Sequence, residues 1–119
     1  MIMGIGIDII EVDRVKEKIS RNSGFRETVF SEKEMEYCES KTNKFEHYAA
    51  RFAAKEAFLK AIGTGWTSAI AFNEIEILND ENGKPELFLR TEIDVQYNKL
   101  FVSLSHLKSI ATAIVIIEN

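Results

Sequence analysis

An α+β fold is predicted by three features of this 119-residue sequence. Residues 45–62 carry one long helical pattern that stops at Gly63. Short strand-like segments separated by turn residues, 72–78 with 86–90 and 101–105 with 110–117, read as antiparallel hairpins. Helices and strands do not alternate in the regular βαβ order that a parallel sheet needs. The expected architecture is an antiparallel sheet packed with one long and several short helices. A chain of this length builds one core, so a single domain over residues 1–119 is expected.

The elements follow in chain order. Gly4-Ile-Gly-Ile-Asp-Ile-Ile10 reads as a strand that turns into a helix, with Ile5, Ile7 and Ile9 on one face and Gly4, Gly6 and Asp8 on the other. Glycine weakens a strand, so two on one face predict the close approach of another backbone or of a ligand. Asp8 ends that bare face, placed either to hold something or to cap the next helix. Glu11 to about Ser20 reads as that helix, ending in the polar loop Arg21-Asn-Ser-Gly24. Ser31-Glu-Lys-Glu34 is a capping box that opens a short helix through about Glu39. Lys41 to Lys44 is a loop, and the long helix then runs from about Phe45 to its glycine stop.

Phe72 to Leu78 and Glu86 to Arg90 are strands joined by the turn residues of Asn79 to Pro85. Thr91 to about Lys99 reads as a short helix. Phe101 to Ser105 and Ile110 to Ile117 form a terminal hairpin. The final strand is apolar on both faces and needs cover on both, which hints at a neighbouring subunit.

The long helix has almost no plain solvent face. Tyr48, Phe52, Glu56 and Leu59 share one stripe, and Ala50, Ala54, Ala57 and Ala61 form a second stripe suited to close packing. Glu56 therefore sits among apolar neighbours, where a carboxylate needs a cation, a metal or strong donors. The ordinary alternative is an ion pair with Lys60, four residues on in the favourable order.

Composition narrows the class. Hydrophobic content of 45% and charged content of 29% are those of a soluble globular protein. No apolar run is long enough to span a bilayer. Cys38 is the single cysteine, which excludes an internal disulfide and fits a reducing, cytoplasmic setting. A net charge of −4 argues against general nucleic-acid binding. Within this acidic chain, Arg14, Lys16, Lys18, Arg21 and Arg26 stand against Glu17 alone, a local excess of +4. That stretch is either a solvated helix face or a docking patch for an acidic partner.

Taken together, Gly4-Ile-Gly-Ile-Asp8, Phe52-Ala-Ala-Lys-Glu-Ala-Phe-Leu-Lys60, Gly63-Thr-Gly65, Asn82-Gly-Lys-Pro85 and Ser103-Leu-Ser-His106 resemble the holo-[acyl-carrier-protein] synthases. These are the small members of the 4′-phosphopantetheinyl transferase superfamily. The matching segments run from residue 4 to near the C-terminus, and the Lys-Glu-Ala-x-x-Lys core with an upstream Asp is specific to that superfamily. The resemblance implies a 4′-phosphopantetheinyl transferase-like fold and a homotrimer with active sites in the clefts between subunits. It implies transfer of 4′-phosphopantetheine from coenzyme A to a serine of an acidic apo-acyl carrier protein. The product released is adenosine 3′,5′-bisphosphate, and the route served is fatty-acid biosynthesis.

The same resemblance assigns roles. Asp8 and Glu56 match the ligands of Mg²⁺, which prefers hard oxygen donors and keeps several waters. Lys60 is expected to reach the same phosphates and steady the leaving group. The general base stays open between a water on the metal and Glu56. Coenzyme A is expected to meet Arg51, Lys55, Lys60, Gly63, Thr64 and Gly65, the turn Asn82, Gly83, Lys84 and Pro85, and His106. Lys55 is expected either to bind phosphate or to brace the cleft. Arg14, Lys18, Arg21 and Arg26 become the carrier-docking patch.

Two other readings use the same residues. A Mg²⁺-dependent nucleotide or coenzyme A pyrophosphohydrolase also needs carboxylates, a lysine and a glycine-rich loop. It would bring more acids than Asp8 and Glu56 and has no use for the basic stretch. A non-catalytic module binding an acidic protein predicts no metal dependence.

Overall fold

The computed structural model describes residues 1–21, 24–63 and 70–119. Its elements are β1 (Ile2–Glu11), α1 (Val12–Arg21), α2 (Phe25–Val29), α3 (Glu32–Glu39), α4 (Lys44–Ile62), β2 (Ile75–Asn79), β3 (Pro85–Leu89), β4 (Lys99–His106) and β5 (Ile110–Glu118). One antiparallel sheet has the order β1-β5-β4, and β2 and β3 form a separate two-stranded ribbon. The α+β expectation therefore holds.

The core lies between α4 and one face of the main sheet. Ala113, Val115 and Ile117 of β5 point inward beneath Ala53, Ala54, Ala57 and Phe58, and Ala111 packs with Tyr48, Ala49 and Ala50. The bare face of β1 points the same way. A Cβ on Gly4 would lie 2.0 Å from the Ala61 carbonyl oxygen, and one on Gly6 would lie 1.8 Å from that of Ala57. The close neighbour predicted by the two glycines is thus the backbone of α4, at the alanine stripe. Ile5, Ile7 and Ile9 point outward and are 58%, 62% and 66% exposed. Phe101 of β4 and Ile110 of β5 are exposed too, so within one chain the sheet is covered on its α4 face only.

The capping box is present. The Ser31 hydroxyl accepts from the Glu34 N–H at 3.3 Å, and a Glu34 carboxylate oxygen accepts from the Ser31 N–H at 2.9 Å. One local element is added and two expectations are corrected. Residues 25–29, between the Arg21–Gly24 loop and the capping box and given no element by the sequence, form the short helix α2. Phe72–Glu74 is a single 3₁₀ turn, and the strand starts only at Ile75. Residues 91–98 form no helix. Thr91, Ile93 and Val95 are β-branched and stiff at χ1, which lowers helix propensity, and Asp94 competes for backbone hydrogen bonds.

The two ends of the chain meet. The Met1 ammonium donates to the Asn119 carbonyl at 2.8 Å, and the Asn119 N–H donates to the Met1 carbonyl at 2.8 Å.

Candidate active site

α4 and β1 together build an acidic site with one cation. Asp8 lies two residues beyond Gly6, so the close glycine contact brings its carboxylate against the C-terminal part of α4. Lys60 Nζ donates to Asp8 Oδ1 at 2.9 Å and to the Ile7 carbonyl at 3.0 Å. An ammonium has three protons, so one is left for an anion. Lys60 does not pair with Glu56, as an ordinary surface helix would have it; its ion-pair partner is Asp8, from a strand 52 residues away in sequence.

Glu56 lies one turn before Lys60 and is part-buried. Burial pushes its carboxyl above the usual range, the Asp8 charge pushes it further, and Lys60 and Lys18 pull it back. Two acids near each other, one of them poorly solvated, form a donor set that a hard divalent cation satisfies. Among the described residues no group of three or more His, Cys, Asp and Glu side chains is gathered for a metal. The set is therefore two carboxylates, which suits an ion completed by phosphate oxygens and water.

A second group of predicted residues lies on the other side of α4. Arg51 and Glu56 are five positions apart, which turns their side chains about 140° from one another around the helix axis. Arg51, His47, Asn79, Gly83, Pro85 and His106 line a pocket of about 210 Å³. Arg51 is 1% exposed, lies 4.3 Å from the Tyr37 ring centroid, and donates through Nη2 to Asn79 Oδ1. Its Nε is buried with no hydrogen-bond partner among the described residues. His106 Nδ1 is 2.9 Å from Glu46 Oε1, and its ring packs edge-on to His47 at 5.1 Å. Burial and the neighbouring His106 push His47 down to about 4.

Asp8 and His106 sit on the two edge strands, opposite Ala113 and Ala111 of the central strand. One chain thus holds the predicted residues as two half-sites separated by α4. Gly63 closes that helix with φ 101°, and its N–H donates to the Leu59 carbonyl at 3.2 Å. Thr64 and Gly65 lie outside the described residues. Asn82, Gly83 and Lys84 form the exposed turn between β2 and β3, held by Asp80 Oδ1, which accepts from the N–H groups of Asn82 and Lys84.

Two expectations need revision. Lys55 has no surface to offer a phosphate: it is 0% exposed, and its ammonium donates to Glu34 Oε1 at 2.7 Å, to the Phe72 carbonyl at 2.9 Å and to the Ile75 carbonyl. Of its two expected roles, bracing is the one that its surroundings permit. Arg26 is not a free cation, since Glu27 lies 3.0 Å and Glu39 3.2 Å from its guanidinium. Arg14, Lys18 and Arg21 do line a common groove on α1 with Glu17, which pairs with Arg21 at 2.8 Å. Lys18 Nζ lies over the rings of Phe25 and Phe52 at 5.7 and 5.8 Å and also acts on Glu56, so the basic patch adjoins the acidic site.

Sequence reasoning missed Glu34, Glu46 and Asn79. Glu34 was visible only as the capping-box acid. Nothing in the sequence reveals Glu46 as the partner of His106, 60 residues away.

Residues 4–115 match the model of the 4′-phosphopantetheinyl transferase superfamily. The holo-[acyl-carrier-protein] synthase of Cytophaga hutchinsonii is 51% identical, with 100% of this chain and 99% of that protein covered. The chain also superposes on the crystal structure of a holo-(acyl-carrier-protein) synthase from Bacillus anthracis in complex with coenzyme A (3′,5′-ADP), with a TM-score of 0.82 and 39% identity over 100% of this chain and 98% of that one. A Chronobacterium ammoniagenes ACPS-CoA complex gives a TM-score of 0.85 at 32% identity over 97% and 96% of the two chains. With the sequence segments, the fold and full-length relatives all in agreement, the chain belongs to the holo-[acyl-carrier-protein] synthases of the 4′-phosphopantetheinyl transferase superfamily.

Proposed function

We propose that this chain transfers 4′-phosphopantetheine from coenzyme A to the serine hydroxyl of an apo-acyl carrier protein and releases adenosine 3′,5′-bisphosphate. The observation that carries the reading is the Asp8–Lys60–Glu56 cluster, set beside a basic groove in a fold shared with coenzyme A-bound relatives. The serine hydroxyl gives up its proton, to water or to Glu56, as its oxygen forms the new bond to phosphorus and the pyrophosphate bridge breaks, the bisphosphate leaving with the bridging oxygen. Such a transfer needs positioning and charge neutralisation more than covalent help from the enzyme. The free proton of Lys60 points a donor at the phosphate that gathers charge. Asp8 fixes that ammonium and shares with Glu56 the task of holding Mg²⁺. The ion, when bound, neutralises the pyrophosphate oxygens. A carrier serving fatty-acid synthesis and a cytoplasmic setting go with this reading.

The two half-sites bear on assembly. Arg51, whose guanidinium backs the pocket, and the His106 ring line a place for a phosphate at the nucleotide end of coenzyme A, beside the Asn82-Gly83-Lys84-Pro85 turn. Asp8, Glu56 and Lys60 serve the pyrophosphate, on the other side of α4. A homotrimer that buries Ile5, Ile7, Ile9 and Phe101 would bring one subunit's first group to its neighbour's second, and the exposed sheet face supports this. Arg14, Lys18 and Arg21 then dock the acidic carrier.

The test is intact-mass spectrometry of an apo-acyl carrier protein incubated with the enzyme, coenzyme A and Mg²⁺. The expected result is a gain of one phosphopantetheine, lost on chelation and absent with Asp8→Ala. Hydrolysis of coenzyme A with no gain on the carrier would replace the transferase reading with a pyrophosphohydrolase.

A further inference from the structure

The β2–β3 ribbon carries the turn that lines the Arg51–His106 pocket, yet no ladder of hydrogen bonds ties it to the main sheet. Its outer edge is met instead by two buried side chains. Glu34 Oε2 accepts from the Ile77 N–H at 3.0 Å, and Lys55 donates to the Ile75 carbonyl. The acid accepts where a neighbouring strand's carbonyl would, and the base donates where its N–H would. They are joined to each other at 2.7 Å and both are 0% exposed. Ser31 adds a third tie by donating to Glu76 Oε2 at 2.6 Å.

One turn away on the same helix, Arg51 holds the other end of the ribbon. Asn79 Oδ1 accepts from Arg51, and Asn79 Nδ2 donates to the Gly83 carbonyl at 2.8 Å. Lys55 and Arg51 are four residues apart, so α4 grips the ribbon on a single face. The turn's distance from Arg51 and His106 therefore depends on both grips.

We infer that Lys55 and Glu34 are positioning residues for the nucleotide end of the donor: they stand in for a missing strand and hold the Asn82–Pro85 turn over its pocket. This rests on the donor site proposed above. It separates the two lysines of the Lys-Glu-Ala-x-x-Lys segment, with Lys60 facing phosphate and Lys55 acting through the ribbon.

The test is steady-state transfer by the full chain at saturating carrier, comparing the wild type with a Glu34→Gln/Lys55→Met double variant. Removing both charges together strands neither Glu34 nor Lys55 as a lone buried ion, and Gln keeps the capping box, so the variant is built to fold. The expected result is a KM for coenzyme A raised roughly tenfold with kcat within about twofold, because only ground-state placement of the nucleotide is disturbed. Adenosine 3′,5′-bisphosphate should bind more weakly by the same factor. Loss of folded protein alone lowers kcat and leaves KM in place. An unchanged KM, or a fall in kcat at constant KM, overturns the inference. If the double variant does not fold, the equally neutral Glu34→Gln/Lys55→Gln variant, which keeps amide hydrogen bonds at both positions, decides by the same KM criterion. Failure of the wild type to transfer would instead count against the proposed function.

Discussion

Replacing Gly6 with alanine asks how much of the site depends on one missing methyl group. The added Cβ would lie 1.8 Å from the Ala57 carbonyl oxygen, 2.7 Å from the Ala61 nitrogen and 2.9 Å from the Ala57 carbonyl carbon. All three are backbone atoms, so no rotamer change relieves the clash. Ordinary contact begins near 3.4 Å, so strand and helix must part by roughly 1.5 Å at this point. Overpacking a core costs about 1–3 kcal/mol when side chains can adjust. Here a helix must move off a sheet, and about 3–5 kcal/mol is expected, or a Tm lowered by roughly 10–20 °C. Gly24→Ala is the control. That glycine has φ 106° and open space around it, so alanine there meets backbone strain of only about 1–2 kcal/mol. Thermal unfolding followed by circular dichroism compares the two. A Gly6→Ala protein that melts no lower than Gly24→Ala would refute the close-contact reasoning, and with it the account of how Asp8 is brought to α4.

Further outcomes concern charge. Because burial and Asp8 raise the Glu56 pKa, the metal-free protein gains from protonation here: the gain is present at acid pH and is lost as pH rises through the raised value. Glu56→Gln should therefore raise the Tm of metal-free protein at neutral pH while cutting transfer by about a hundredfold or more; a lowered Tm would contradict the burial argument. His47, held down to about 4, should stay neutral at pH 7 and charge only near that value, so stability from it is complete above about 6.5 and falls away toward 4; histidine chemical shifts across that range test this. The Cys38 thiol is buried and pushed up to about 12, so it should resist a disulfide reagent at pH 8 until the protein unfolds; prompt labelling would show that the core opens there. Arg14→Glu with Arg21→Glu should raise KM for the carrier and flatten its salt dependence while KM for coenzyme A stays put; equal shifts in both would remove α1 from docking.

Most elements were legible in the sequence because their signals are local. The capping box at Ser31, the glycine stop at Gly63 and the two hairpins each follow from neighbouring residues. Asp8 and Glu56 stood out because a carboxylate on a glycine face, or in an apolar stripe, conflicts with its surroundings. What could not be read were partners chosen by tertiary contact. Lys60 had two available acids, and only the approach of β1 gives it to Asp8. Lys55 and Lys60 look alike in the sequence, yet five residues of helix rotation send one into the core and the other to solvent. Residues 91–98 show the limit of a local signal: Thr91, Ile93 and Val95 disfavour a helix, yet the segment pairs with no strand either.

The meeting of Met1 with Asn119 has an engineering consequence. Residues at the two ends already hydrogen-bond to each other, so a short peptide could join them without bending either strand. Closing a loop of about this length restricts the unfolded chain by about 4–5 kcal/mol in the chain-entropy picture, all of it available to the native form if the joint is unstrained. New termini would then fit the exposed Lys41–Thr42 segment between α3 and α4. Asp8 lies six residues up β1 from Ile2, roughly 20 Å along the strand, so a tether or fluorophore placed at the junction would report on the protein without standing in its cleft.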